Sequence, residues 1–239
     1  MNNFLKTAIY FSLFLLILAL TGGCGGSGGN LSIGDSVGGQ AITQSTPVIL
    51  HMNNGNSYFN SGNYANAVFE YQQALTIASA NKDMDEAYEG LGWAMVRNGS
   101  PASDRGDSSV ITTFESIGDT DLKDYTNQNI NDARVGLAFA YVSRNTSGDI
   151  TKAKELLERI APDTTNPANP VFSQYFAYLP ERNNGISNGM VHALLAYTYF
   201  MEGNLTSAKT QIEYAYQREP ANEFVKEIRT NLTLLGLFN

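Results

Sequence analysis

Few residues of this sequence have types and spacings suited to catalysis or metal binding. The two histidines, His51 and His192, lie far apart in the chain, and each is expected to pack or cap. The series Asp119-x-Asp121-x-x-Asp124 lacks the glycine and the terminal glutamate of a calcium-binding loop. No serine occupies a nucleophile elbow, and no group of His, Cys, Asp and Glu has the spacing of metal ligands. The sequence therefore predicts a non-enzymatic protein without metal or cofactor.

The single cysteine, Cys24, has the clearest chemical assignment. Lys6 precedes an apolar run from Ile9 to Leu20, and Thr-Gly-Gly then leads to the cysteine. This order is typical of a secretory signal, and the run is shorter than the about 20 residues of a bilayer span. The segment resembles the lipobox of bacterial lipoproteins, although Leu20 lies four residues before the cysteine instead of three. The resemblance implies a lipid anchor on Cys24, and Gly25 in place of Asp implies the outer membrane, facing the periplasm; the alternative is an ordinary secreted protein.

Composition divides the chain into three parts and indicates which classes of partner it is expected to bind. We expect a signal peptide at residues 1–23, a flexible tether rich in Gly, Ser, Asn and Thr at 24–46, and a helical repeat domain at 47–239. The formal charge is −8, and no run of Lys or Arg is present. An acidic chain without a basic patch is not expected to bind nucleic acid.

The expected repeat domain begins with a helix–turn–helix pattern that has small residues where two helices must touch. The pattern is Gly55-x-x-Tyr58-x-x-x-Gly62-x-Tyr64-x-x-Ala67-x-x-x-Tyr71-x-x-Ala74-Leu75. It resembles the tetratricopeptide repeat, whose units stack because one unit cannot bury its apolar face alone. The resemblance implies an all-α, right-handed superhelical solenoid that presents a concave groove to a partner protein.

Weaker copies of the pattern follow downstream. Its small contact residue recurs at Gly92, Ala138 and Ala196, which predicts about four helix pairs, and a last amphipathic helix from Ala221 to about Gly236 would cap the array. The spacings exceed the family period of about 34 residues, and the excess falls at 100–130 and 162–188. These insertions are either functional loops or disordered connections.

In the tetratricopeptide repeat family, side chains one and four positions after the small residue face the groove. Here they give Asn56 and a mainly aromatic set consisting of Phe59, Trp93, Val96, Phe139, Val142, Tyr197 and Phe200. Apolar anchors of this kind suit a partner's helix or extended segment. The alternative is that these side chains are core, with the insertions folded over the concave side. The rim offers Glu86, Glu89, Arg97 and Asp132, without a Lys/Arg clamp for a terminal carboxylate.

The sequence thus predicts a non-catalytic, protein-binding scaffold lipoprotein of the bacterial cell envelope, with an unidentified protein partner. A role in the assembly of envelope complexes is consistent with this class of lipoprotein. The alternative hypothesis is a structural or glycan-binding envelope protein, in which the aromatic row would stack on sugars.

Overall fold

The computed structural model describes residues 47–98, 108–124, 128–160, 162–163, 171–172 and 176–238. The predicted signal peptide, the tether and Cys24 lie outside these residues. The described residues form ten α-helices: α1 (Pro47–Asn60), α2 (Tyr64–Ile77), α3 (Asn81–Asn98), α4 (Ser108–Glu115), α5 (Asp119–Lys123), α6 (Asn131–Arg144), α7 (Asp149–Leu157), α8 (Asn188–Met201), α9 (Leu205–Arg218) and α10 (Glu223–Leu234).

The all-α prediction is confirmed. Strand pairing within the described residues is limited to a two-residue antiparallel bridge between β1 (Pro162–Asp163) and β2 (Val171–Phe172). Four helix pairs follow one another (α1–α2, α3–α4, α6–α7 and α8–α9), and α10 packs against both α8 and α9. The right-handed superhelical sense and the assignment of the last three pairs as true repeats stay predictions.

The first and last pairs share one turn chemistry, which explains why their sequences match the repeat pattern best. Gly62 and Gly203 adopt left-handed φ angles of 78° and 83°, a conformation that glycine takes without steric cost. The next residues, Asn63 and Asn204, cap the second helix by accepting hydrogen bonds from Asn66 N and Ser207 N. A Gly-Asn dipeptide therefore both ends one helix and starts the next.

The close approach of the first helices depends on two aromatic rings set between glycines. Tyr71 of α2 is fully buried, and a Cβ added to Gly55 of α1 or to Gly90 of α3 would lie 2.8 Å or 2.4 Å from its ring. Phe114 of α4 is held in the same way, at 2.6 Å from a Cβ added to Gly92 of α3 and 2.5 Å from one added to Gly136 of α6. Each ring thus fills a space that exists only because its neighbours lack side chains.

One hydrophobic core runs through the described residues from Phe59 in α1 to Leu237 after α10. The first helices α1, α3 and α6 are consecutive neighbours, and we call the side of the array that they form the inner face. The predicted insertions hold α4, α5, the 3₁₀ turn at Gln128–Ile130 and the β1–β2 bridge, followed by a non-helical stretch at 176–187. Among the described residues, no helix combines the length and the apolar character that a bilayer crossing requires.

We predict that Gly90→Ala destabilises the protein by about 1–3 kcal/mol, the usual range for overpacking a core. The sign is informative, because the same change in an open helical position stabilises by up to about 1 kcal/mol. Urea unfolding followed by circular dichroism measures the change. In a Tyr71→Leu background, which removes the ring, Gly90→Ala should cost much less. An equal cost in both backgrounds would show that the ring does not set the helix spacing.

Candidate functional site

Residues 176–187, which we call the inserted segment, lie across the inner face without helical structure. Arg182 of this segment contacts α1, α2 and α3 through its side chain, and Tyr178 contacts α6. Arg97 of α3 donates a hydrogen bond to the carbonyl oxygen of Asn184 at 3.3 Å. The inner face of the first three helix pairs is therefore occupied by the chain's own inserted segment.

The guanidinium of Arg182 is the deepest contact of the inserted segment. Its Nη2 lies 2.7 Å from Glu89 Oε1, and its Nη1 donates to Asn56 Oδ1 at 2.8 Å and to the Tyr71 hydroxyl at 3.1 Å. The side chains of Arg182 and Glu89 are only 8% and 3% exposed, so this ion pair is buried. A buried charge of this kind is tolerated because the opposite charge and further hydrogen bonds compensate its lost hydration.

Asp132, at the start of α6, binds the main chain of the inserted segment. Its Oδ2 accepts from the backbone N–H groups of Glu181 at 3.1 Å and Arg182 at 3.3 Å. Its Oδ1 accepts from the Tyr178 hydroxyl at 2.7 Å, and that hydroxyl accepts in turn from Asn184 Nδ2 at 2.8 Å. One carboxylate thus holds two consecutive amides and one side chain of the inserted segment, which bends at Glu181 and Arg182 so that both N–H groups point to the same oxygen.

The same carboxylates join α3 to α6. Glu89 Oε2 accepts from the backbone N–H of Ala133 at 3.1 Å, in the first turn of α6, where the helix N-terminus favours a negative charge. Trp93 Nε1 donates to the carbonyl oxygen of Asp132 at 2.9 Å. The binding of the inserted segment and the packing of α3 on α6 therefore share one polar network.

Burial raises the pKa values of several ionisable groups in this network. It raises the pKa of Glu89 to about 7, a change that the Arg182 guanidinium partly offsets. It also raises the pKa of Asp132, against the lowering effect of the hydrogen bond from Tyr178 and the charge of Arg182. The pKa of Tyr71 is raised by burial to about 12, so its hydroxyl stays protonated and able to donate near neutral pH. Tyr71 uses that hydrogen in a 2.7 Å bond to Asn56 Oδ1.

A cleft of about 560 Å³ opens beside this network and is strongly acidic. Its lining includes five carboxylates and, among the described residues, one cation, Lys82; the carboxylates belong to Asp85, Glu86, Glu89, Asp121 and Glu181. Burial, together with the nearby charge of Asp121, raises the pKa of Asp85 to about 6. We call this region the acidic cleft. Within the described ranges, no three or more His, Cys, Asp or Glu side chains form a group that can hold a metal ion.

The predicted aromatic groove is wrong as an open surface. The side chains of Phe59, Trp93, Phe139, Val142, Tyr197 and Phe200 are buried in the core, and Val96 is half-buried. The physical reason is lateral packing: Trp93 meets Phe114 edge-on with ring centroids 6.1 Å apart, and Phe139 packs on Phe224 of α10 at 5.7 Å. These residues therefore hold helices together, and the alternative that they are core applies.

Three of the four predicted rim residues contact the inserted segment. Glu89, Arg97 and Asp132 all contact the inserted segment, and Asn56 accepts from Arg182. Glu86 is exposed and lines the acidic cleft. No sequence pattern points to Arg182 or Tyr178, because they lie in an insertion without periodicity or motif.

The two histidines lie on the first helices of the outermost pairs, as expected, and both have hydrogen-bond partners. His51 Nδ1 lies 2.7 Å from Glu70 Oε2 on α2. His192 is fully buried, bonded to Gln211 and to the carbonyl oxygen of Phe176, and stacked on the Phe176 ring at 4.1 Å. Burial lowers the pKa of His192. His192 thus fixes the beginning of the inserted segment to α8.

We predict that Arg182→Met lowers the free energy of unfolding by about 3–5 kcal/mol at pH 8, because the buried Glu89 loses its cation and must either stay charged without it or take up a proton. Removing Arg182 raises the pKa of Glu89 further. The loss should shrink at pH 5, since the cost of a carboxyl whose folded-state pKa is raised is absent below its unfolded-state pKa and accumulates as the pH rises toward the folded-state pKa. Urea unfolding at both pH values gives the two figures.

Two further variants serve as controls for this prediction. Adding Glu89→Gln to Arg182→Met removes the orphaned charge and should recover part of the loss. Arg218→Met removes an exposed arginine of α9 and should change stability by less than about 0.5 kcal/mol. A loss of the same size from Arg182→Met at pH 5 and pH 8 would contradict the ion-pair explanation.

Comparison with known proteins places the first helix pair in a family. The tetratricopeptide repeat family matches residues 50–81, which include most of α1, all of α2 and the first residue of α3. No match was found among curated proteins or among solved structures. Tetratricopeptide repeats generally mediate protein–protein interaction, and proteins built from them are generally non-catalytic scaffolds. Residues 50–81, essentially the α1–α2 pair, therefore match a tetratricopeptide repeat.

Proposed function

We propose that this protein is a non-catalytic scaffold whose inner face binds an extended segment of a partner protein in the bacterial cell envelope. A lipid on Cys24 would hold it at the periplasmic side of the outer membrane, where it would take part in the assembly of an envelope complex. The lipid anchor is supported by the sequence around Cys24 alone, whereas the binding mode is supported by the contacts of the inner face.

The observation that carries the proposal is the way the inner face holds the inserted segment. Asp132 accepts two main-chain N–H groups, and Arg97 donates to a main-chain carbonyl. Main-chain hydrogen bonds of this kind give affinity for a non-helical stretch of polypeptide, and side-chain contacts such as Arg182 with Glu89 give specificity. The surface therefore has the chemistry that binding a peptide requires.

The burial of the predicted aromatic row removes the main argument for glycan binding. Sugar stacking needs exposed aromatic faces, and Trp93, Phe139 and Tyr197 are buried. The polar groups of the inner face contact protein main chain and an arginine. We therefore favour a protein partner over a saccharide.

Site-specific photocrosslinking in the native envelope tests the proposal. A photoreactive residue at Glu86, which is exposed at the acidic cleft, should capture one defined envelope protein. The same residue at Leu234, which is 75% exposed on α10, is the matched control and should not capture that protein. Equal capture at both positions, or none from a membrane-bound chain, would contradict the scaffold proposal.

The anchor is tested separately with Cys24→Ser. Membrane fractionation should show the wild-type chain in the outer membrane and the variant released from it, because a chain without acyl groups has no stable hold on lipid. Retention of the variant in the membrane would contradict lipidation at Cys24 and leave the binding proposal to the crosslinking result.

A further inference from the structure

We infer that the inserted segment is an internal ligand of the inner face, and that the partner replaces it with an extended segment carrying an arginine in the place of Arg182. This inference rests on the proposed function and names the chemistry of the partner and the means of its regulation. It follows from how the inserted segment is attached, how well it fits and which charges surround it.

The inserted segment is attached to α8 at both ends and contacts the inner face from Tyr178 to Asn184. Phe176 is bound through its carbonyl oxygen to His192 of α8, and the backbone N–H of Tyr178 donates to Asn188 Oδ1 at 2.6 Å. At the other end, Ser187 caps α8. The stretch between these points includes Leu179, which is 81% exposed. Withdrawal of residues 179–183 would leave the core contacts of Phe176 and Ile186 and the cap of α8 in place.

The fit of the segment to the inner face is incomplete. The Nε atom of Arg182 is buried and has no hydrogen-bond partner in the described part of the chain, although its other nitrogens are bonded. An unsatisfied buried donor costs free energy relative to a ligand that satisfies it. The neighbouring Glu181 adds a further carboxylate to the acidic cleft, and burial with the charge of Asp132 raises its pKa. An arginine of a partner in the same place would share the unpaired Nε, so it is Glu181, among the carboxylates of the acidic cleft, that makes the internal segment a weaker ligand than one with a neutral residue there.

The charges of the surface define the partner that fits it better. Glu89 and Asp132 contact the inserted segment directly, and Asp85, Glu86 and Asp121 line the acidic cleft beside it. An arginine satisfies Glu89 and Asn56 with its planar guanidinium, as Arg182 does. A partner segment without an acidic residue before that arginine avoids the repulsion that Glu181 introduces. We therefore expect an arginine-bearing, otherwise neutral or basic extended segment.

Occupation by the chain's own segment also sets when the partner can bind. An intramolecular ligand competes at a high effective concentration. The apparent affinity for a partner is therefore the intrinsic affinity multiplied by the fraction of molecules in which the inner face is free. Weakening the internal ligand should therefore strengthen binding of a peptide added in solution.

A peptide-binding experiment with the full chain in mild detergent tests the inference. The probe is a fluorescein-labelled peptide with the sequence of residues 176–187, in which Gln replaces the glutamate at 181. By fluorescence anisotropy it should bind the Arg182→Met protein at least about tenfold more tightly than the wild-type protein. A second peptide, with alanine also in place of the arginine, should lose at least about tenfold in affinity for the same variant. A third peptide, with the native glutamate at position 181 and the native arginine at 182, should bind this variant more weakly than the first peptide.

Tyr178→Phe keeps the experiment decisive if Arg182→Met fails to fold. This variant removes one hydrogen bond to Asp132 and leaves the Arg182–Glu89 pair in place, so it should also bind the first peptide more tightly than wild type. Equal or weaker binding to the folded variants, or binding that ignores the arginine, would overturn the inference. A wild-type dimer in sedimentation that Arg182→Met abolishes would make a second copy of this chain the occupant and would also overturn it.

The outcomes separate this inference from the proposed function. Arginine-dependent peptide binding without any envelope protein captured at Glu86 would uphold the internal ligand and contradict the scaffold proposal. Capture of a defined protein at Glu86 with no peptide binding to the opened variants would uphold the scaffold and overturn the internal ligand.

Discussion

The position of one ring, that of Tyr71, determines both the spacing of the helices and the chemistry of the inner face. The ring fits between α1 and α3 only because Gly55 and Gly90 leave room for it, and the approach of the two helices follows from that fit. Its hydroxyl, at the edge of the same space, donates a hydrogen bond to Asn56 and accepts one from Arg182. A change in helix spacing would therefore move the groups that bind the inserted segment, so packing and recognition are coupled at this residue.

A second constraint is the burial of negative charge on the inner face. Glu89 and Asp132 are nearly inaccessible, and each serves two purposes: Glu89 holds the start of α6 as well as Arg182, and Asp132 holds the segment's main chain and its Tyr178. Carboxylates buried this deeply need a cation and donors to remain charged. The inserted segment supplies them, which explains why a stretch without secondary structure packs against α1, α2, α3 and α6.

The sequence predicted those features that depend on local chemistry and helical register. The pattern of small contact residues located the first and last helix pairs, counting from Gly55 placed Asn56 on the inner face, and Glu89, Arg97 and Asp132 were expected at its rim. It could not predict that Trp93 and Phe139 turn into the core, because that depends on Phe114 and Phe224 from other helices. It could not predict Arg182 either, since its partner Glu89 lies 93 residues away and no periodic pattern links them.

Hydrogen–deuterium exchange of the wild-type protein, read by NMR at single amides, tests the central claim most directly. If the inner face is occupied by residues 176–187, the amides of Tyr178, Glu181 and Arg182 are bonded to Asn188 and Asp132 and should exchange far more slowly than in a free peptide of the same sequence. They should still exchange faster than the amides of α8. Exchange of Glu181 and Arg182 at the free-peptide rate, with α8 protected, would contradict the account.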